Sequence, residues 1–150
     1  MSLKNCLALL FVLAFLSFLV QSDFGNVNVK SHTLNSSNNQ YVVYDLYKPS
    51  SASKENKAPF IVVVPGFQRS KEALSNIAIE LSRRGNVVAL IDPYAQGMSS
   101  SSLSRRAATT EGYGMFALID TVSKGNLFDF VDTDKMASTG HSMGGNAAIR

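Results

Sequence analysis

Gly140-His141-Ser142-Met143-Gly144 is the one segment of this sequence in which residue type and spacing together amount to chemistry. The pattern G-x-S-x-G sets a serine on a sharp strand-to-helix turn with its hydroxyl exposed. Its glycines leave room where the strand and helix backbones close on each other, so a serine in a strained conformation is tolerated between them. A hydroxyl held in this way is a candidate nucleophile, able to attack a carbonyl carbon and form first a tetrahedral intermediate and then an acyl-enzyme. It needs an adjacent base, and the base needs an orienting acid. His141 is next in sequence, but consecutive side chains at a strand end point to opposite faces, so its ring is expected to pack or hydrogen-bond beneath the turn. His32 lies in a polar stretch and is expected to be solvated.

The motif has meaning only if a strand leads in and a helix leads out. Residues 135–139 read as that strand, introduced by an Asp132-Thr133-Asp134 turn, and a helix is expected from Gly144. Upstream, residues 41–47 are rich in β-branched and aromatic side chains, 59–64 is a continuous apolar run of the kind found in strands covered on both faces, and 86–91 reads as the next buried strand. Between the last two, Leu74, Ile77, Ala78 and Leu81 fall at i, i+3, i+4 and i+7, the face of a helix over 71–84 with Ser70 as N-cap and Gly85 as stop. Arg83 and Arg84 suit the last turn of that helix. Met115, Leu118, Ile119 and Val122 repeat the spacing after a serine-rich loop over 99–104, with Lys124-Gly125-Asn126 as the end. The order β, β, α, β, α, β predicts an α/β fold with a mostly parallel sheet and helices on both faces. Ligands then gather at the carboxyl ends of the strands, here Pro65-Gly66-Phe67-Gln68, residues 92–97 and Ser142.

Composition narrows the class. At 150 residues, 45% hydrophobic and 17% charged, the chain is globular and of single-domain size. Lys4 followed by an apolar run over 7–20 and then Val20-Gln21-Ser22 has the layout of a secretory signal peptide, which makes residues 1–22 a leader and 23–150 the domain. An uncleaved membrane anchor is the alternative, and membrane contact is expected only in that case. The single cysteine, Cys6, lies in the leader, so the remainder has no thiol nucleophile and no disulfide. Losing Lys4 leaves 13 basic against 11 acidic residues, a net charge of +2 rather than +3. Arg83-Arg84 and Arg105-Arg106 are isolated pairs, so a nucleic-acid partner is not expected. Asp92 ends a strand and is read as a loop-organising carboxylate. Asp129, Asp132 and Asp134 lack a His or Glu partner at ligand spacing, so neither a metal nor a cofactor is expected. Asn35-Ser36-Ser37 is a glycosylation sequon.

On the Pro65-Gly66-Phe67 loop and the Gly-His-Ser-Met-Gly-Gly turn over 140–145, the chain from Tyr41 onward resembles the α/β-hydrolase superfamily. Within it the likeness is to dienelactone-hydrolase-like proteins and the bacterial cutinase and polyester-hydrolase group. The resemblance implies that residues 41–47 form an early antiparallel strand and that Ile61 lies on the family's third strand. It implies Ser142 as nucleophile, with the backbone N–H groups of Met143 and Phe67 as oxyanion donors and the Phe67 and Met143 side chains lining the substrate cleft. The implied activity is that of an exported serine hydrolase, secreted or periplasmic, acting on a small-molecule or polymeric carboxylic ester. Peptidase, thioesterase and lactone hydrolase are the neighbouring activities, and a non-catalytic binding module on the same scaffold is the other class. In this fold the acid and histidine follow the serine in chain order. The sequence is therefore expected to be the N-terminal portion of a longer hydrolase, truncated after the serine turn and inactive alone. Oligomeric state is left open.

Overall fold

The computed structural model describes residues 2–36, 39–101, 110–125 and 127–149. Ser37 of the sequon, residues 102–104 of the serine-rich loop, Arg105, Arg106, Asn126 and Arg150 lie outside the described residues. Strands β1 (Val27–Asn35), β2 (Tyr41–Pro49), β3 (Ala58–Val64), β4 (Val87–Ile91) and β5 (Val131–Gly140) form one sheet in the order β1-β2-β4-β3-β5. The α-helices are α1 (Leu3–Gln21), α2 (Ser75–Arg83), α3 (Met115–Ser123) and α4 (Met143–Ala148).

The sheet is mixed, which corrects the expectation of a mostly parallel one. β1 pairs antiparallel with β2 from Val27↔Pro49 to Asn35↔Tyr41, and β2 pairs antiparallel with β4. Only β3 with β4 and β3 with β5 are parallel. The missing element was β1. It is an edge strand with a single fully buried residue, Val27, so it carries no alternating apolar pattern and is held by its backbone ladder. A connection as short as residues 36–40, closed by Ser36 N–H donating to Gln40 O at 2.8 Å, can join strands only as a hairpin.

Side chains of the central strands alternate into two apolar clusters. Phe60, Val62, Val64, Val87, Ala89 and Ile91 pack with Met115, Leu118 and Val122 of α3 and Ala147 of α4. Val63, Val88 and Leu90 pack with Ala78 of α2 and with Leu74, Ile79 and Leu81. Each large side chain fully buried here contributes about 1.5–3 kcal/mol, and that term fixes β3 and β4 as the rigid centre of the sheet.

The helix expected over 71–84 opens as a 3₁₀ turn, Lys71–Leu74, and becomes α-helical only from Ser75. Changing from 3.0 to 3.6 residues per turn shifts the phase of the buried face. Ile77 is accordingly 42% exposed, while Ser82 is fully buried. Ser70 makes no capping bond from its side chain to the backbone. Gly85, at φ 87°, ends α2 as expected.

β5 begins at Val131, so the Asp132-Thr133-Asp134 segment belongs to the strand as an irregularity: Pro59 pairs with Asp132, but Phe60 pairs with Met136. Asp132 accepts the Asp134 N–H at 3.2 Å and pairs with Lys135 at 2.8 Å, which closes the bulge locally.

α1 extends the apolar run over 7–20 to 19 residues, with a mean hydropathy of 2.3 and no buried residue. By length and composition it can cross a membrane, a test that signal sequences also pass. Arg83 ties its end to the domain, donating to Val20 O at 2.9 Å and pairing with Asp23 at 3.1 Å.

Candidate functional site

Parallel pairing brings three chain exits to one edge of the sheet. Val64 at the end of β3 is opposite Gly140 on β5, and Val63 is opposite Leu90 on β4. The Pro65-Gly66-Phe67 loop, the loop over 92–97 and the turn at Ser142 therefore leave the sheet side by side.

Ser142 has φ 53° and ψ −115°, a conformation that costs a non-glycine residue about 1–3 kcal/mol and needs surrounding structure to hold it. Three backbone bonds do so. His141 N–H donates to Val64 O at 3.1 Å, Gly144 N–H to His141 O at 2.9 Å, and Asn146 N–H to Ser142 O at 2.9 Å. The glycines are required by contact: a Cβ on Gly140 would lie 2.5 Å from Val64 O, and one on Gly144 would lie 2.1 Å from the same oxygen. Ser142 itself is exposed, and Met143 is the first residue of α4, where helical N–H groups have no intrahelical acceptor.

Gly66 brings the β3 loop against this turn. A Cβ there would be 3.4 Å from Ser142 Cβ and 3.0 Å from His141 Nδ1. Phe67 follows at 62% exposure, so it is not a core aromatic. His141 is exposed with its ring against Gly66, rather than packed beneath the turn as expected. Nor is His32 simply solvated. It is half-buried on β1, stacked on Tyr44 at 5.4 Å between ring centroids and edge-on to Phe128 at 6.3 Å. Neither histidine could be placed from the sequence, because each position depends on a cross-strand neighbour. Among the described residues, no group of His, Cys, Asp and Glu could hold a metal ion.

Asp92 organises the loops. It is completely buried and accepts the Lys71 N–H at 2.7 Å and the Met98 N–H at 2.9 Å, so one carboxylate joins the segment after β3 to the segment after β4. Gly97 makes room for it, since a Cβ there would lie 2.2 Å from the carboxyl carbon. Asp92→Ala leaves two backbone donors without their acceptor. We expect it to cost about 2–4 kcal/mol in chemical denaturation and to loosen the Phe67 loop along with the fold.

Lys71 was not singled out in the sequence, where it is one lysine at a helix start. It is buried among Glu72 at 2.7 Å, Asp45 at 3.6 Å and Asp92 at 3.9 Å. Burial opposes its charge, but the Glu72 hydrogen bond and the three carboxylates outweigh burial and raise its pKa. Glu72 is held down to about 2, chiefly by its hydrogen bonds from Lys71 and Ser70. The two shifts act at opposite ends of the pH scale. The lysine contribution is complete below its ordinary pKa of 10.5 and is lost as pH rises through the raised value. The glutamate contribution is complete above 4.5 and is lost as pH falls toward about 2. Stability should be level between these limits and decline beyond each. Because Glu72 is 65% exposed, solvent screening limits its share to about 1 kcal/mol or less. Denaturation of Glu72→Gln across pH tests this, since the variant should lose that part of the acid-limb slope.

The model of a family described as PETase, PET hydrolase-like, matches residues 16–150. None of the curated proteins compared with the chain matches it. Among solved structures, an esterase from Pyrococcus furiosus superposes with a TM-score of 0.66 at 17% identity over 86% of this chain and 48% of its own. An α/β hydrolase from Penicillium gives 0.65 at 19% identity, covering 80% and 39%, and acetyl xylan esterase 1 from Thermoanaerobacterium gives 0.63 at 16%, covering 83% and 43%. The shared feature is the α/β-hydrolase fold, and the chain spans less than half the length of each of these proteins.

Proposed function

As the chain belongs to the PET hydrolase-like family, within the α/β-hydrolase superfamily, we propose that it carries the nucleophile half of an exported serine hydrolase that cleaves carboxylic esters. The observation that supports this best is Ser142, an exposed serine held at φ 53° on a strand-to-helix turn, with the Gly66-Phe67 loop against it. In this reading Ser142 Oγ attacks the ester carbonyl carbon, and the alkoxide oxygen is met by the N–H groups of Met143 and Phe67. Such a donor is worth about 3–4 kcal/mol in the transition state. Collapse of the intermediate expels the alcohol, and water then releases the acid from the acyl-serine. Phe67, at the surface beside the turn, lines the substrate cleft.

His32 stacks on Tyr44 of β2, and His141 is exposed with its ring against Gly66. In this reading neither of them is the base, in keeping with the superfamily, where the base and its acid both follow the serine in chain order. The apolar helix α1 serves as an export signal cleaved after Ser22, and the family match starting at residue 16 leaves most of that helix outside the shared region.

The test is fluorophosphonate labelling of the complete polypeptide containing these residues, with the adduct mapped by peptide mass spectrometry and the exported protein sequenced from its N-terminus. An adduct on Ser142 and a start at Asp23 are expected. A complete polypeptide that is folded yet unlabelled would instead be a non-catalytic module on this scaffold.

A further inference from the structure

A cleft of about 430 Å³ begins at Phe67, one residue from the glycine that touches Ser142, and runs between the loops that follow β3 and β4. Its walls include Arg69 and Ser70 on one side and Gln96 and Gly97 on the other. The polar groups here are in an unusual state. Both the amide nitrogen and the amide oxygen of Gln96 are shielded from solvent, and neither has a hydrogen-bond partner. Leaving such groups unmet is destabilising, and a ligand that engages them recovers that cost. Arg69 has no ion-pair partner among the described residues, where every bridge is made by Lys71, Arg83, Arg84, Lys124 or Lys135.

The backbone holds these groups in place. Gln68 is in the left-handed region at φ 55°, and Arg69 N–H closes the turn onto Gly66 O at 3.2 Å. On the far wall, the loop bearing Gln96 is pinned through Met98 to Asp92. That carboxylate does not make the cleft repel anions, because both its oxygens already accept backbone N–H groups and it lies beside the Lys71 ammonium.

An unpaired guanidinium, an unmet primary amide and an exposed ring suit one kind of ligand group. The cation and the amide N–H donate to a carboxylate, while the ring packs on the carbon chain leading to it. Resting on the reading of Ser142 as an ester-cleaving nucleophile, we infer that this cleft is the subsite for a carboxylate carried on the ester substrate a few atoms from the scissile carbonyl. Arg69 and Gln96 are its specificity-determining residues. The preferred substrates are then half-esters of dicarboxylic acids rather than neutral esters of the same length.

The complete polypeptide is assayed on monoethyl adipate and on ethyl hexanoate, a pair of equal chain length ending in a carboxylate and a methyl respectively, by titration of the released acid. The wild type should favour the half-ester about 10-fold in kcat/KM, with the difference in KM and reduced by added salt. Arg69→Ala and Gln96→Leu should each remove most of that preference and leave ethyl hexanoate within about twofold, and Arg69→Lys should restore part of it. Equal use of both esters by the wild type, or variants that slow both esters alike, would overturn the subsite while leaving the hydrolase reading intact. Failure to cleave either ester, with no fluorophosphonate adduct on Ser142, would overturn both.

Discussion

Ser142→Ala in the complete polypeptide is expected to lower kcat for ester hydrolysis by about 10⁶-fold, the scale seen when a serine nucleophile is removed elsewhere, with little change in stability. The reason for the second half is in the backbone. Alanine keeps the Cβ, so the turn at φ 53° and ψ −115° carries the same strain, and the three bonds that hold it involve main-chain atoms only. Ser142→Gly separates the two effects. It should be equally inactive, yet more stable than Ser142→Ala by about 1 kcal/mol or more, because glycine adopts that conformation without a Cβ penalty. Kinetics and thermal denaturation of the pair supply the check. Near wild-type activity in both variants would remove Ser142 from the chemistry, and equal stability of the two would mean that the turn is not strained.

That strain could be anticipated because the motif itself encodes it: a strand leading in, glycines either side and a serine between them. β3 and β4 were legible for a related reason. Residues buried on both faces must be apolar throughout, and 59–64 and 87–91 are. Legibility fails where an element is fixed by something other than its own side chains. β1 is held by ladder bonds to β2 and buries almost nothing, so its sequence resembled loop and its antiparallel pairing with β2 went uncounted. The 3₁₀ turn at Lys71–Leu74 misplaced Ile77 for the same reason, since a local change of winding leaves no periodic trace. Around the site, the sequence singled out Ser142, Met143, Phe67 and Asp92. It gave no signal for Lys71, Arg69 or Gln96, which matter only because loops far apart in the chain meet at the ends of parallel strands.

Gly144→Ala shows how closely the turn depends on β3. Position 144 lies in α4, where alanine is ordinarily better than glycine by about 1 kcal/mol. Propensity alone would make the substitution stabilising. Against it stands contact: the new Cβ would lie 2.1 Å from Val64 O, 2.6 Å from Val64 C and 2.7 Å from Pro65 O. These are backbone atoms at the fully buried end of β3, so no rotamer change can relieve them, and Val64 O also accepts the His141 N–H that sets the turn. α4 would have to lift away from β3, breaking that bond. We expect a net loss of about 3 kcal/mol or more, beyond the usual 1–3 kcal/mol for overpacking a site that can adjust. Activity should fall as well, since Ser142 would move with the turn. Gly145→Ala is the matched control. Its nearest contact is Gly140 O at 3.1 Å, so propensity and a small adjustment should nearly cancel. Chemical denaturation of the two variants reads the difference directly, and a Gly144→Ala protein as stable as Gly145→Ala would mean that the helix does not press on the end of β3.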